Sequence, residues 1–126
     1  MIPKFRAWLK KEQKMDNYID HISWLEDELY CIGDGITYMV SAEDLVLMQS
    51  TGLKDKNGKE IFEGDILDYK GIKALVRWHG SYASFIYRFV DELQKRNTEW
   101  KPLYLAYMKC EIIGDIYENR ELLMGK

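Results

Sequence analysis

Two histidines, His21 and His79, and two cysteines, Cys31 and Cys110, are the residues here best suited to nucleophilic or metal chemistry. Zinc sites legible in a sequence place their ligands a few residues apart. Neither cysteine has a second cysteine or a histidine at that spacing, and neither histidine has a second histidine, a cysteine pair or a carboxylate at it. A site assembled in space from a thiol, a histidine and an aspartate would need something to activate the thiol, and no local feature does so. The cysteines therefore read as buried thiols in a reducing compartment, and His79, which follows Trp78 at the end of an alternating segment, reads as an edge residue. The acidic runs Glu26-Asp27-Glu28 and Glu43-Asp44 could act as acid and base only if burial separated their pKa values. Their charged, turn-like surroundings keep them solvated. The sequence implies no catalytic residue, no metal site and no cofactor, and a chain that is not an enzyme.

Backbone amides at glycines can cradle phosphate. Neither Gly33-Asp34-Gly35 nor Asn57-Gly58-Lys59 has a phosphate-loop spacing or clearly opens a helix, so both read as turns. What remains is recognition. Lys54, Lys56 and Lys59 crowd one loop, although Asp55 and Glu60 dilute their field. Aromatic residues make up 13% of the chain, and an exposed aromatic face beside Arg77, Arg88 and Arg96 could stack bases or grip a peptide. The competing reading puts Trp78, Phe85 and Tyr87 in a small β core. The candidate interaction surface is Lys54, Lys56, Lys59, Arg77, Tyr82, Tyr87 and Arg88.

Strands must position these residues. Ile72–His79 sets Ala74, Val76 and Trp78 against Lys73, Leu75 and Arg77, and Tyr82–Phe89 sets Phe85, Tyr87 and Phe89 against Ser84, Ile86 and Arg88. Lys4–Leu9 alternates Phe5, Ala7 and Leu9 against Lys4 and Arg6, with Trp8 breaking the pattern. Lys10–Lys14 reads as a turn, and short segments follow at Asn17–Leu25, Glu28–Ile32 and Ile36–Val40. Ser41 is placed to cap a single helical turn over Ala42–Asp44, and Leu45–Met48 is another apolar run. Thr51–Glu60 lacks an apolar period and carries Asn57-Gly58, which suits a solvated loop. Ile61-Phe62, Ile66–Tyr69, Leu103–Lys109 and Glu111–Tyr117 are further strand candidates. Val90–Arg96 is a candidate short helix that Pro102 would not let continue. Many short strands between turn signals, with little helix, point to a small barrel or a sandwich.

Length and composition fit one domain: 126 residues, 47% hydrophobic and 31% charged, offer enough apolar surface to offset the entropy of ordering. Eighteen basic against 21 acidic residues give a net charge of −3, so no global basic field draws the chain to phosphate backbones. No apolar run has the length to cross a bilayer, and the start has no signal-peptide-like stretch. A cytoplasmic location is expected.

The block Leu47-Met48-Gln49-Ser50-Thr51-Gly52-Leu53-Lys54-Asp55-Lys56-Asn57-Gly58-Lys59-Glu60-Ile61-Phe62-Glu63-Gly64-Asp65-Ile66 resembles the signature of the YopX family, small proteins encoded largely by bacteriophages and prophages. Lys4-Phe5-Arg6-Ala7-Trp8 and Glu111-Ile112-Ile113-Gly114-Asp115-Ile116-Tyr117-Glu118-Asn119 agree with it, so the resemblance spans essentially the whole chain. The family often has asparagine where Asp115 stands and proline where Arg120 stands. The resemblance implies an SH3-like barrel in the C-terminal half and no established activity. The expected architecture is mainly β: a single domain over 1–126, with short N-terminal strands and hairpins over 1–50, an SH3-like small barrel over 51–120, and little helix. Fold analogy then suggests a module that binds a host or phage protein or associates with itself. Nucleic-acid binding through the barrel and nearby lysines and arginines is the alternative, and neither a membrane nor a small-molecule substrate is implied.

Overall fold

In the computed structural model, the described residues are 4–19, 21–26, 29–34, 36–81, 83–93 and 100–123, with side chains described for all of these except residues 18, 21 and 23–39. They form twelve strands, five short 3-10 turns and no α-helix. The mainly β expectation holds, with the strands in antiparallel sheets. The chain divides between Ser50 and Thr51 into two compact units.

The first unit is built on β1 (Phe5–Leu9), β2 (Lys14–Ile19), β3 (His21–Glu26), β4 (Leu29–Asp34), β5 (Ile36–Ser41) and the start of β6 (Leu45–Lys54). β1 lies between β2 and β6, antiparallel to both. The alternation expected of Lys4–Leu9 is lost, because both faces of β1 are covered: Arg6 and Trp8 are buried along with Ala7 and Leu9. Ala7, Leu9 and Leu45 form the core here, with Ile19, Ile22 and Leu47 among the residues packed against them. β3, β4 and β5 make a separate antiparallel sheet, in which Asp34 pairs with Ile36 across Gly35. A 3-10 turn does follow at Ala42–Asp44, but the Ser41 side chain makes no capping hydrogen bond.

The second unit holds the end of β6, β7 (Glu60–Phe62), β8 (Asp65–Tyr69), β9 (Ile72–His79), β10 (Ser84–Phe89), β11 (Lys101–Pro102) and β12 (Cys110–Asp115). Its main sheet has the order β11-β10-β9-β8-β12. Tyr69 pairs with Ile72, so only Lys70 and Gly71 connect β8 to β9. Both have positive φ, 51° and 89°, as a two-residue turn matched to strand twist requires. The Asp68 carboxylate accepts the Gly71 N–H at 2.8 Å and braces the turn. Ile61, Leu67, Val76, Tyr87 and Leu103 anchor the core beneath this sheet.

Three expectations change. Thr51–Lys54 is the end of strand β6, not loop; the Thr51 hydroxyl donates to the Ile61 carbonyl at 2.7 Å, a polar contact with no apolar period. Leu103–Lys109 is not a strand but two successive 3-10 turns, Leu103–Leu105 and Tyr107–Lys109. Its buried residues, Leu103 and Ala106, and Cys110 just beyond it fall three and four apart, the spacing of a helical turn. Of the helix expected over Val90–Arg96, the described part is a 3-10 turn at Val90–Glu92; Gln94–Arg96 lie outside the described residues.

Candidate functional site

Three buried carboxylates stand at turns of the second unit: Asp55, Asp65 and Asp115. Each binds backbone. Asp55 Oδ1 accepts N–H groups from Asn57 and Lys59, both at 2.9 Å, while Oδ2 accepts that of Ile112 at 2.9 Å, 57 residues away. Burial alone would push this carboxyl up, but the amides of Ile112, Lys59 and Asn57 and the Lys59 charge outweigh it and hold the group below its usual 3.8. The amides of Asn57 and Lys59, which a phosphate would need, are thus already taken by the loop's own carboxylate. Asp65 Oδ2 accepts the Phe62 N–H at 2.7 Å, closing the Glu63-Gly64 turn. Asp115 Oδ1 accepts from Tyr117 at 2.8 Å and Glu118 at 2.9 Å. These are organisers of backbone; Asp55 escapes sequence reasoning because the stretch Thr51–Glu60 reads as a solvated loop.

Cys110 is fully buried, and its Sγ lies 3.3 Å from the Ala106 carbonyl, to which the thiol donates. Burial, reinforced by the negative charges of Asp68 and Asp55, pushes the thiol up to about 11. At neutral pH it stays protonated and is a poor nucleophile. The side chains of Cys31 and His21, and the residues Asp27, Glu28 and Gly35, lie outside the described residues. His79 ends β9, half-buried. Asp44 sits 3.3 Å from Lys11 in an ion pair at the surface. Among the described residues, no three histidines, cysteines or acids gather where a metal could be held, and no helix is long and apolar enough to cross a membrane.

The expected interaction residues separate. Lys54, Lys56 and Lys59 are exposed around the Asp55 turn, with Lys56 Nζ 3.8 Å from Glu111. Arg77 and Arg88 share one face of the main sheet, since Arg77 pairs with Ile86 and Arg88 with Leu75. Arg77 is exposed, and the Arg88 guanidinium lies over the Trp100 ring at 5.5 Å. Tyr87 is on the opposite face, only 6% exposed and within the core, so it offers a partner nothing. Its ring stacks on Tyr69 at 6.0 Å and meets Phe89 edge-on at 5.8 Å; burial first, then Tyr69 and Cys110, raise its phenol above 10.0. Tyr82 and Arg96 lie outside the described residues.

A surface that the sequence reading had not singled out is formed by the paired 3-10 turns. Tyr104 is 60% exposed and Leu105 and Met108 are each 70% exposed, while Leu103 and Ala106 of the same segment hold it to the core. Lys101 and Lys109, both exposed, bracket this ridge. Trp78 is also exposed, at 46%, with Phe85 edge-on against it at 4.9 Å. Isolated apolar letters in a strand-like segment look like core, and only the helical spacing of Leu103, Ala106 and Cys110 could have pointed the others outward.

A family model described as YopX protein matches residues 4–124. The chain belongs to the YopX family. No curated protein matches it. Among solved structures, this YopX chain is similar to the crystal structure of protein EF1440 from Enterococcus faecalis, at 28% identity, with 98% of this chain and 99% of that one covered and a TM-score of 0.62.

The turn geometry has room for the residues that the resemblance places at the two positions where this YopX chain differs. Asp115 acts through one side-chain oxygen on two amides, which an asparagine supplies equally well. Arg120 opens the 3-10 turn Arg120–Leu123, where a proline loses little because the first N–H of a helical turn has no partner within it. The signature block carries Asp55 and Asp65, two of the three buried turn-forming carboxylates.

Proposed function

We propose that this YopX-family chain is a non-catalytic interaction module, phage- or prophage-derived and cytoplasmic, that binds a host or phage protein through the ridge of Tyr104, Leu105 and Met108. The observation that supports this reading is the exposure of these three side chains, 60%, 70% and 70%, on a segment tied to the core by Leu103 and Ala106. Clustered exposed apolar side chains are the usual mark of a contact surface, and each loses unfavourable hydration when covered, at about 25 cal/mol per Å². The raised pKa of the Cys110 thiol and the engagement of the loop amides by Asp55 agree with a non-catalytic role.

The test is affinity capture of the tagged full chain from host lysate, with and without nuclease, alongside a Leu105→Asp/Met108→Asp variant. A specific protein retained in both nuclease arms and lost with the variant supports the proposal. Retention unchanged by the variant removes the ridge as the contact. Material lost only after nuclease would replace the proposal with nucleic-acid binding, and exposed Arg77 would then be the first residue to change.

A further inference from the structure

Among the described strands, β12 stands at the end of the main sheet and pairs with β8 on one side only. The free N–H and C=O groups of such an edge are a template on which another strand can pair. Here the outward groups are met by a loop. Lys56 N–H donates to the Cys110 carbonyl at 2.9 Å, and two residues along, Ile112 N–H donates to Asp55 Oδ2 at 2.9 Å. One backbone donor and one carboxylate acceptor thus imitate a neighbouring strand. The imitation is held in shape from within, by Asp55 N–H to the Lys59 carbonyl at 2.8 Å, Gly58 N–H to the Asp55 carbonyl at 2.9 Å, and Asp55 Oδ1 to the Asn57 and Lys59 amides. A second device lies beside it: the β12–β8 register shifts between Ile112 and Gly114, and such bulges bend an edge away from regular pairing.

We infer that the 55–59 loop is an edge guard, and that its release lets β12 pair antiparallel with β12 of a second copy of this chain. The second copy is the occupant because the edge is self-complementary. Two-fold pairing about Ile112 sets Glu111 of one copy across from Ile113 of the other, so like charges do not oppose each other. It also covers Ile113, which is 39% exposed. The segment Cys110-Glu111-Ile112-Ile113 has two β-branched isoleucines suited to such a strand. Release frees Glu111 from Lys56 as well.

The experiment is sedimentation velocity on the full chain over a range of concentrations, with circular dichroism to confirm folding, for wild type, Asp55→Ala and Lys56→Pro. Both variants are expected to gain a concentration-dependent species of twice the wild-type mass, less populated for Lys56→Pro, which removes one edge hydrogen bond and the exposed ion pair with Glu111 but leaves the Asp55 carboxylate in place. Adding Ile112→Pro to Asp55→Ala deletes the outward N–H and is expected to return the wild-type distribution. Folded variants that sediment like wild type at every concentration overturn the inference, as does an Asp55→Ala dimer that survives Ile112→Pro. If Asp55→Ala fails to fold, Lys56→Pro alone decides between the same two outcomes.

Discussion

Replacing Asp55 by alanine strips acceptors from three backbone amides at once, those of Asn57, Lys59 and Ile112. The three losses are unequal. Asn57 and Lys59 are exposed, so water re-forms most of what they lose, and about 0.5 kcal/mol each is a fair charge. Ile112 sits half-buried in β12, and its bond to an ionised group is worth about 2 kcal/mol. The sum is about 3 kcal/mol, or roughly 10 °C in melting temperature for a chain of this length. Asp55→Asn keeps one acceptor but turns an amide donor toward another donor, and about 2 kcal/mol is expected. Because the folded carboxyl is held below 3.8, its contribution is complete above that pH and is lost as pH falls through the lowered value. Asp55→Asn should therefore flatten the acid limb of the stability curve. The assay is urea unfolding at pH 7 and across the acid range, with hydrogen exchange at the Ile112 amide as a local reporter. Variants within about 0.5 kcal/mol of wild type, or an Ile112 amide as protected as before at concentrations where the variant sediments as a monomer, would refute the reasoning.

Cys110 should resist alkylation at pH 8 until the chain unfolds, since its thiol is buried and raised to about 11; by the same shift its contribution to stability is complete below pH 9.0 and is lost as pH rises through 11, which Cys110→Ala would remove from an alkaline titration. Gly114→Ala should cost about 1–3 kcal/mol in denaturant unfolding, because the added methyl would lie 2.6 Å from Asn119 Oδ1, the atom that accepts the Asp115 N–H. Tyr87→Ala should cost about 3–5 kcal/mol in the same assay, as expected for emptying an aromatic site in the core. Leu105→Asp, in contrast, should shift stability by less than about 0.5 kcal/mol while abolishing partner retention in the capture experiment.

Much of the fold was legible because period two survives where one face of a strand packs. β9 and β10 fall where the apolar and aromatic runs place them, although Leu75 and Ile86, on the face assigned to the polar residues, are buried as well and Trp78 is exposed. Legibility failed where side chains bond to backbone. Thr51 and Asp55 look soluble by composition, yet Thr51 belongs to a strand and Asp55 is buried, because what they satisfy is amides and carbonyls that no hydropathy pattern records. The interaction surface was read less well. Lys54, Lys56, Lys59 and Arg77 are exposed as expected, but Tyr87 is a core ring and the ridge of Leu105 and Met108 was taken for a strand. An apolar letter carries no sign of whether its turn faces inward, and here the neighbours at Leu103 and Ala106 decide it.

The 57-residue separation between Asp55 and Ile112 has a bearing on how the chain assembles. β8, β9 and β10 are joined by short connections and pair in sequence order, so they can form a meander before the rest of the unit has left the ribosome. β12 comes later and must return to β8 across β9 and β10, and only then does Asp55 find the amide it holds. The loss of a contact that forms after the folding transition state is felt in the rate of escape rather than of arrival. Asp55 is then a latch on the closed sheet, and Asp55→Ala is expected to refold about as fast as wild type in stopped-flow experiments and to unfold faster.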